Sequence, residues 1–406
     1  MKLPEAPWQA GEDMRRLLAT LGAAEGGIRF VGGCVRDTLL GIPVADVDLA
    51  TRLLPDEVMH RLREEGIKAV PTGLAHGTVT AVLRGKPIEI TTLRRDVSTD
   101  GRRATVAFTD DWREDAGRRD FTINALSADP ESGEVFDYFG GLDDLQARRV
   151  RFIGDALTRI AEDHLRILRF FRFHARFGEG APDPQGLAAC RSRANDLMAL
   201  SRERIAGELL RLLGLEDPTP TVRIMVEEGI LAPVLPEVDG GGVARLALLP
   251  KREAQAGVEP DAVRRLAALL PRRGIAADVA ARLRLSNAAR GRLLCIERGG
   301  VDDLAPVLLL AYLVGRECAI DRLLLAKELD AGAAAQRIAS LKSWERPRLP
   351  VSGGDLVAMG LSEGPVVART LKAVETEWAE RGFPGDVEMV RAMARRHVDQ
   401  ALRSRQ

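Results

Sequence analysis

A glycine pair followed closely by an alternating aspartate pair is the feature that most constrains this chain. Gly32 and Gly33 follow the largely apolar run 28–31, so the backbone there can turn tightly and approach a phosphate group. Further on, Asp46 and Asp48 alternate with apolar residues, and this alternation places both carboxylates on one face of a strand. The combination suits a nucleotide held together with a divalent metal.

Each of these pairs alone has a more common explanation. A glycine pair after a strand is most often a turn, and alternating aspartates most often lie on a solvated edge or form a cap. In this chain the two pairs occur in order and at short spacing, with Val47 and Leu49 completing the alternation. Because Mg²⁺ uses only one or two protein carboxylates beside substrate phosphates, the combination favours a magnesium and nucleotide site.

The composition limits the size, location and partners of the protein. A length of 406 residues predicts two or more domains. No stretch has the roughly twenty uncharged apolar residues that a membrane span needs, and the N-terminus lacks the order of a signal peptide. We therefore expect a cytoplasmic protein without membrane contact, and no obligate protein partner is indicated. The net charge is zero, so nucleic-acid binding would depend on local basic patches.

The cysteines give no sign of a zinc site or of a disulfide framework. They are widely scattered, and no Cys-x-x-Cys pair occurs. We expect small buried residues or residues without a function at all four positions, which are Cys34, Cys190, Cys295 and Cys318.

The periodicity of apolar residues changes along the chain. Before about Arg151, short apolar alternations separated by helical stretches predict strands at 28–31, 45–50, 78–83, 87–92 and 135–138. After Arg151 the period becomes that of an α-helix almost to the end of the chain. The sequence therefore predicts an α+β N-terminal head, with a mixed sheet and helices, followed by an all-α region.

Two further features of the head are compatible with metal or phosphate chemistry. Glu89 lies on the polar face of the predicted strand 87–92, where it is either a third metal-facing carboxylate or an ordinary surface glutamate, with about equal weight. Arg118 and Arg119 precede a segment that can begin a helix at Thr122, and their guanidinium groups could clamp a triphosphate. Adjacent arginines are common on ordinary surfaces, so this pair alone is a weak indication.

A charged stretch within the predicted helix 156–177 is the second strong feature. At about 100° per residue, Asp163, Arg166 and Arg169 cover an arc of about 120° and can face one ligand. Arg172 lies about 180° from Asp163, so it must reach another group or approach the ligand from the flank. An ordinary ion pair on a solvated face is the alternative explanation. Three arginines spaced by three, beside phenylalanines, favour a ligand.

An aspartate beside an arginine can distinguish the nucleobases. Cytosine and adenine each present an amino donor next to a ring-nitrogen acceptor, which a carboxylate and a guanidinium complement. Guanine and uracil present the reverse order, so buried polar groups would be left unpaired. The pair Asp163 and Arg166 therefore predicts a site that admits CTP and ATP and refuses GTP and UTP.

Five motifs occur in the order in which one enzyme family has them: 32–37 with 46–48, 118–125, 141–145, 162–166, and 201–205 with Glu208. The chain resembles the bacterial class II tRNA nucleotidyltransferases, which are the CCA-adding enzymes, and more broadly the related poly(A) polymerases within the polymerase β superfamily. The match extends from about residue 28 to 210, and the region 352–365 is similar to the tail of the family.

The resemblance implies an architecture and a reaction. The expected parts are a polymerase β-like catalytic head (1–152), a helical neck with base selection (153–215), and a helical body (216–345) and tail (346–406) that bind RNA. The expected reaction is template-independent addition of CCA to the 3′ end of tRNA, in which the RNA 3′-hydroxyl attacks the α-phosphate of CTP or ATP. The partners would be the tRNA acceptor arm and these two nucleotides.

The resemblance also assigns roles to the matching positions. Asp46 and Asp48 would hold Mg²⁺, with two ions expected, and Glu89 lies where related enzymes place a third carboxylate. These three acidic residues are therefore the expected catalytic residues. The expected nucleotide contacts are Gly33, Arg36, Arg119, Asp163, Arg166, Arg169 and Arg172.

Narrower activities stay open at this point. The stretch 71–80 is similar to the CCA-adding branch rather than to the poly(A) polymerases, which favours CCA addition. Enzymes that add only CC or only A share nearly all these motifs, and an inactive RNA-binding homologue is a further alternative. Segments 99–103 and 110–117 are candidate flexible elements for the change from C to A.

Arginine clusters in the helical region suit contacts with tRNA phosphates, although each could equally be a solvated helix face. They are Arg264 and Arg265 with Arg272 and Arg273, Arg346 with Arg348, and the segment 391–396.

Overall fold

A mixed β-sheet supports the N-terminal part of the chain in the computed structural model, which describes residues 1–99, 104–271, 274–298, 302–362 and 364–403. Within these residues the strands are, in chain order, β1 (Ile28–Val31), β2 (Asp48–Thr51), β3 (Lys68–Gly73), β4 (Thr78–Leu83), β5 (Lys86–Thr92), β6 (Arg94–Thr99), β7 (Ala104–Phe108), β8 (Ser127–Ala128) and β9 (Val135–Phe136). One sheet has the strand order β3-β4-β5-β2-β1-β8-β9, and β6 and β7 form a separate antiparallel hairpin.

The centre of the sheet brings two of the predicted carboxylates into register. β2 runs parallel to β5, and Asp48 lies opposite Glu89. The next residues on these strands, Leu49 and Ile90, project to the opposite face because side chains alternate along a strand, and both are buried. The sheet therefore presents the acidic residues on one face and packs its core on the other.

The alternation predicted that Asp46 and Asp48 lie on one strand, and this prediction is wrong for Asp46. β2 begins at Asp48, and Asp46 lies exposed in the loop before it. The antiparallel pairing of β1 with β2 matches Phe30 with Leu49, so the residues before Asp48 would face Gly32, where the chain has already left the sheet. On this side, β2 therefore has no partner for the residues before Asp48.

The other strands partly follow the sequence pattern. The predicted strands 28–31 and 78–83 are confirmed, and those at 87–92 and 135–138 differ from β5 and β9 by one or two residues at one end. The edge strand β3 was not predicted, because its residues are largely exposed and its register shifts between Val70 and Gly73. A strand without a buried face carries no alternating pattern.

The chain divides into two compact units, Met1–Pro236 and Glu237–Gln406. Among the described residues, the helices of the first unit are α1 (Glu12–Thr20), α2 (Gly33–Leu39), α3 (Pro55–Glu64), α4 (Trp112–Gly117), α5 (Gly141–Gln146), α6 (Ala156–Glu162), α7 (Arg166–Phe177), α8 (Pro184–Ser192), α9 (Arg202–Leu213) and α10 (Thr219–Glu227). The candidate flexible segment 110–117 contains α4, and residues 100–103 lie outside the described residues. The predicted order of an α+β head before helices is confirmed.

The predicted continuous helix 156–177 is wrong, because the chain forms two helices, α6 and α7, separated at Asp163, His164 and Leu165. Asp163 has an extended backbone, with φ −152° and ψ 105°, and its side-chain Oδ1 accepts the Leu165 N–H at 3.1 Å. Aspartate disfavours helix interiors because its carboxylate competes for nearby backbone donors. The angular spacing of a helix therefore holds among Arg166, Arg169 and Arg172, but not between Asp163 and Arg166.

The second unit is helical in all its described residues that have regular structure. Its helices are α11 (Gly240–Leu246), α12 (Leu249–Ala256), α13 (Ala262–Leu269), α14 (Ala276–Arg282), α15 (Asn287–Glu297), α16 (Val307–Val314), α17 (Arg316–Leu325), α18 (Ala331–Ala339), α19 (Gly353–Ala358), α20 (Pro365–Glu380) and α21 (Val387–Arg403). Tyr312 and Trp378 contribute large rings to a core that α16 shares with α19, α20 and α21. Within the described part of the chain, no helix has the length and apolar character to span a bilayer.

Two of the arginines predicted to meet RNA phosphates are instead buried. Arg264 and Arg265 are 3% and 0% exposed. Arg264 donates to Glu253 at 2.6 Å and to Asp321 at 2.8 Å, and Arg265 donates to the other oxygen of Glu253 at 2.8 Å. Buried charges occur in pairs because an unpaired charge is costly to desolvate, so this cluster links α12, α13 and α17.

The remaining predicted clusters are placed differently. Arg346 and Arg348 are exposed, and Arg346 stacks over the Tyr312 ring at 4.6 Å. Arg391, Arg395 and Arg396 are exposed on α21. Arg272 and Arg273 lie outside the described residues.

The expectation that no cysteines pair is also wrong. Cys295 on α15 and Cys318 on α17 form a disulfide, with their Cα atoms 6.2 Å apart. This distance lies within the usual range of about 4.4–6.8 Å for a disulfide. Cys34 and Cys190 are free and buried, as predicted. The pairing depends on how α15 packs against α17, which the spacing of cysteines in the sequence does not reveal.

Candidate active site

One polar cavity of about 600 Å³ in the first unit collects nearly all the predicted site residues. It combines acidic side chains, a group of arginines and the glycine pair. Glu89 does not line it, although it lies beside Asp48 in the sheet. The lining residues are Gly32, Gly33, Arg36, Asp46, Asp48, Arg118, Arg119, Asp120, Asn124, Asp163, Arg166, Arg169, Arg172 and Phe173.

The glycine pair lets the chain turn sharply from β1 into α2. Gly32 has φ +70°, a conformation that favours glycine, and a Cβ atom there would lie 2.8 Å from Nη1 of Arg119. Gly33 begins α2 and lines the cavity. The missing side chain at Gly32 therefore gives Arg119 room beside the strand end.

Arg36 is the most enclosed arginine of the site. It is 5% exposed, and its Nε donates to Asp37 at 2.8 Å while Nη1 donates to Asn124. Its guanidinium lies 4.1 Å from the centre of the Phe177 ring. Burial lowers the pKa of Arg36, and Asp37 opposes this change. These contacts hold the guanidinium in one orientation at the cavity wall.

The acidic residues of the cavity repel one another. Burial raises the pKa of Asp48, the carboxylates of Glu89 and Asp46 raise it further, and Arg119 opposes them. A divalent cation would relieve this repulsion, and two carboxylates match what Mg²⁺ takes from a protein. Among the residues that the structure describes, no three or more acidic, histidine or cysteine side chains form a ready ligand set. The residues thus fit a metal that also uses oxygens of a substrate.

Arg118 and Arg119 share one acidic partner at the end of α4. Nε of Arg118 lies 2.8 Å from Oδ1 of Asp115, and Nη2 of Arg119 lies 3.6 Å from Oδ2. Burial would raise the pKa of Asp115, but the two arginines lower it overall. Because its contact with Asp115 is long, Arg119 keeps N–H groups for a ligand.

Asp120 is a buried residue of the site that sequence reasoning missed. Its Oδ2 accepts from Nε and Nη2 of Arg169 at 2.8 and 2.5 Å, and its Oδ1 accepts from Asn124 at 2.9 Å. Burial would raise the pKa of Asp120, but Arg169 and Asn124 lower it overall. The available signal in the sequence was the position of Asp120 directly after Arg118 and Arg119, because an acidic residue there could have been expected to pair with an arginine.

The predicted base-selecting pair reaches the same cavity from two elements. Asp163 lies between α6 and α7 and pairs with Arg204 of α9 at 2.7 Å. Arg166, the first residue of α7, pairs with Glu162 and donates to the carbonyls of Arg159 at 3.0 Å and Arg118 at 3.2 Å. The structure brings the carboxylate and the guanidinium to one cavity, with each held by its own partners.

A second residue of α9, Glu208, holds Arg172 at the cavity. Glu208 is buried, and its Oε2 accepts from Nε of Arg172 at 2.6 Å. Its Oε1 accepts from Arg211 at 2.9 Å. Both Arg204 and Glu208 belong to the motif 201–208, to which the sequence alone gave no role.

Comparison with known families shows the class of the protein. Residues 28–151 match the family described as the poly A polymerase head domain. Residues 181–240 match the family described as "Probable RNA and SrmB- binding site of polymerase A". The fold and the cavity thus define a nucleotidyltransferase.

Relatives that align with nearly the whole chain show which family of nucleotidyltransferases it belongs to. The mitochondrial CCA tRNA nucleotidyltransferase 1 of Mus musculus is 32% identical over 94% of this chain and 90% of its own length. The CCA-adding enzyme of Limosilactobacillus fermentum is 31% identical over 95% of this chain and 96% of its own. The solved Bacillus stearothermophilus CCA-adding enzyme in complex with CTP covers 97% of this chain and 100% of its own, with 25% identity and a TM-score of 0.77. The chain belongs to the CCA tRNA nucleotidyltransferase family.

Proposed function

We propose that this enzyme adds CCA to the 3′ end of tRNA without a template, using CTP and ATP. The observation that carries the proposal is one cavity that contains both the acidic pair Asp46 and Asp48 and the base-selecting pair Asp163 and Arg166. The names of the relatives agree with it, since one is a CCA tRNA nucleotidyltransferase and another was solved with CTP.

The acidic side of the cavity would carry out the transfer. Asp46 and Asp48 would hold Mg²⁺, with two ions expected. When bound, the metal would stabilise the attacking 3′-oxygen of the RNA and the departing pyrophosphate oxygen during in-line displacement at the α-phosphate. Glu89 is a candidate third carboxylate through its position beside Asp48.

The basic side of the cavity would hold the triphosphate. Gly33 leaves the backbone open to a phosphate, and Arg119 has N–H groups to donate to its oxygens. Arg36 would contribute positive charge from a fixed orientation at the wall. Arg169 and Arg172 would add charge from α7 while Asp120 and Glu208 hold them in place.

Asp163 and Arg166 would select the base. An ionised carboxylate has about four acceptor sites and a guanidinium has five N–H donors, so the existing partners of both groups leave capacity for a nucleobase. Asp163 would accept from the amino group of cytosine or adenine, and Arg166 would donate to the ring nitrogen. With uracil or guanine, a carbonyl would face Asp163, and like polarity would exclude it.

The division proposed from the sequence assigns the rest of the chain to RNA. The head (1–152) would carry the transfer chemistry and the neck (153–215) base selection. The body (216–345) and tail (346–406) would hold the tRNA acceptor arm. Exposed Arg346, Arg348 and the arginines of 391–396 are the remaining described candidates for phosphate contacts. A cytoplasmic location is part of the same proposal.

The function is tested by incubating the purified enzyme with Mg²⁺, a tRNA that lacks its three 3′-terminal nucleotides, and CTP and ATP together, with each nucleotide labelled in turn. We expect CMP and AMP incorporation and a product that ends in CCA. Incorporation of CMP without AMP would instead identify a CC-adding enzyme. Incorporation of AMP only on a tRNA that already ends in CC would identify an A-adding enzyme, and long AMP tails on generic RNA a poly(A) polymerase. No incorporation of any nucleotide would refute the proposal.

Asp163→Ala tests base selection separately. The variant loses the acceptor that distinguishes an amino group from a carbonyl, so we expect UMP and GMP to be incorporated alongside CMP and AMP. An unchanged nucleotide preference would contradict the role of Asp163.

A further inference from the structure

Arg204 contacts the acidic residue to which the proposed function assigns base selection. Its Nη2 donates to Oδ2 of Asp163 at 2.7 Å, although the two residues are 41 positions apart in the chain. Asp163 lines the cavity, whereas Arg204 is not among the lining residues. The two side chains are 30% and 35% exposed, so neither is enclosed by packing.

The position of Asp163 makes this contact important for its orientation. Its backbone is extended and lies between α6 and α7, so no helical packing holds its side chain. The Leu165 N–H occupies Oδ1 at 3.1 Å, and Arg204 occupies Oδ2. Together the two donors fix the plane of the carboxylate and leave acceptor sites for a base.

The donor of the base-selecting pair is fixed by other groups. Arg166 contacts Glu162 and donates to two backbone carbonyls, those of Arg159 and Arg118. None of these contacts involves Arg204. The position of the Asp163 acceptor therefore depends on Arg204 together with the Leu165 N–H, and the position of the Arg166 donor does not.

The helix that carries Arg204, α9, also supports a second residue of the cavity. Glu208 lies one turn further along α9, so residues 204 and 208 share a face of the helix. Glu208 holds Arg172, another lining residue, at 2.6 Å. One face of α9 thus supports two cavity residues without lining the cavity.

We propose that Arg204 is a positioning residue for nucleotide selection, an inference that rests on the proposed addition of C and A. Arg204 does not touch the nucleotide; it holds the Asp163 carboxylate in the plane in which it accepts from the amino group of cytosine or adenine. Without Arg204 the carboxylate rotates, and the difference between an amino group and a carbonyl at that position is reduced.

The ratio of kcat/KM for CTP to that for UTP, on a tRNA that lacks its 3′-terminal nucleotides, tests this role. Loss of one charge-assisted hydrogen bond corresponds to a fall of about 10- to 100-fold in the ratio for Arg204→Met. Arg204→Lys keeps a charged donor and is expected to retain most of the ratio. A general loss of rate with an unchanged ratio in Arg204→Met would overturn the proposal.

A double-mutant comparison shows whether Arg204 acts through Asp163. In the Asp163→Asn background, Arg204→Met is expected to change the ratio by less than about 3-fold, because residues that act as one unit are not additive. An undiminished effect in that background would place the action of Arg204 elsewhere and overturn the proposal. If Arg204→Met does not fold, Arg204→Gln takes its place, with a ratio expected below that of Arg204→Lys.

A matched control variant and the parent enzyme distinguish a failure of the proposed function from a failure of the role of Arg204. Arg191 on α8 forms an exposed ion pair with Glu228 at 3.2 Å, and Arg191→Met is expected to leave the ratio unchanged. If the parent enzyme incorporates no nucleotide, the proposed function fails. If the parent prefers CTP to UTP and Arg204→Met does so equally, only the role of Arg204 fails.

Discussion

The acidic side and the arginine side of the cavity differ in how completely their groups are paired. Asp46 is exposed in a loop, and Asp48 lies beside Glu89 on the neighbouring strand. On the other side, Arg169 and Arg172 are held by the buried acids Asp120 and Glu208. The arginine side is organised before a ligand binds, whereas the acidic side has like charges close together.

This contrast agrees with the proposed division of tasks. Binding of the triphosphate and selection between bases both need donors and acceptors at fixed positions, since a site discriminates only when the wrong base leaves its groups unpaired. Transfer needs acidic groups that gain more from a cation than from protein partners. Substitutions on the acidic side should therefore affect catalysis without harming the fold, and substitutions on the arginine side should affect stability as well.

The largest expected effect is that of Asp46→Ala on nucleotide transfer. This change removes one of the two proposed metal ligands, and we expect the rate of CMP incorporation to fall by about 1000-fold or more. Because Asp46 is exposed, the free energy of unfolding should change by less than about 0.5 kcal/mol. The measurements are incorporation at saturating CTP and a circular dichroism melt.

Two results would contradict this view of the acidic side. Collapse of the circular dichroism spectrum in Asp46→Ala would show that the residue is structural. Retention of more than about a tenth of the parent rate would remove Asp46 from the proposed ligands. The control is Asp56→Ala, which changes an exposed aspartate of α3 and should leave the rate unchanged.

The next effect is the loss of stability expected for Glu208→Ala on the arginine side. Glu208 is 2% exposed and pairs with Arg172, which would be left without its acidic partner. Breaking a buried ion pair in this way costs about 3 kcal/mol. A urea titration of the parent and variant measures the difference.

Glu228→Ala is the matched control for this change, because its ion pair with Arg191 is exposed. We expect this control to lose no more than about 1 kcal/mol. Equal losses in the two variants would show that the ion pairs of the arginine side are no more tightly organised than those of the surface.

A smaller effect of the opposite sign is expected for Asp48→Asn. Burial and the nearby carboxylates raise the pKa of Asp48, so its ionised form is less stable in the folded chain than in the unfolded chain. Without divalent metal at pH 7, the neutral variant should therefore be more stable than the parent, although it transfers no nucleotide.

The pH dependence of this difference follows from the sign of the shift. The destabilisation in the parent is fully present above the raised pKa and disappears as the pH falls below the ordinary value for an aspartate. The advantage of Asp48→Asn should therefore shrink in acid. Glu89→Gln should give part of the same gain, and a loss of stability in both variants at pH 7 would contradict the repulsion.

The sequence identified most members of the cavity because they occur in short local motifs. Asp46, Asp48 and Arg119 each lie within a few residues of a glycine, strand or arginine signal that could be interpreted locally. Glu89 was found from the alternation of β5, and its position beside Asp48 followed from strand pairing rather than from the pattern.

The rest depended on contacts between distant parts of the chain. The partner of Asp163 is 41 positions away and the partner of Arg172 is 36 positions away, so neither pair has a local signature. Arg264 and Arg265 resembled a surface patch because their acidic partners lie on other helices. The break at Asp163 was missed because a helical period was continued across a residue whose side chain bonds the backbone.

The smallest effect concerns His174 of α7, the helix that also carries Arg166, Arg169 and Arg172; His174 is 6% exposed. Burial lowers its pKa, and a hydrogen bond with the backbone of Gly180 opposes this change. The unfolded chain therefore binds the proton more tightly, and stability falls as the pH drops from about 6.5 towards the lowered value. We expect a loss of stability across this window in the parent, measured by urea titration at each pH.

His174→Gln should flatten the pH dependence, since no proton is then taken up on unfolding at this position. His60→Gln is the control, because His60 is exposed on α3 and its side chain is hydrated in both states. An equally steep fall in the parent and in His174→Gln would assign the acid sensitivity to other groups.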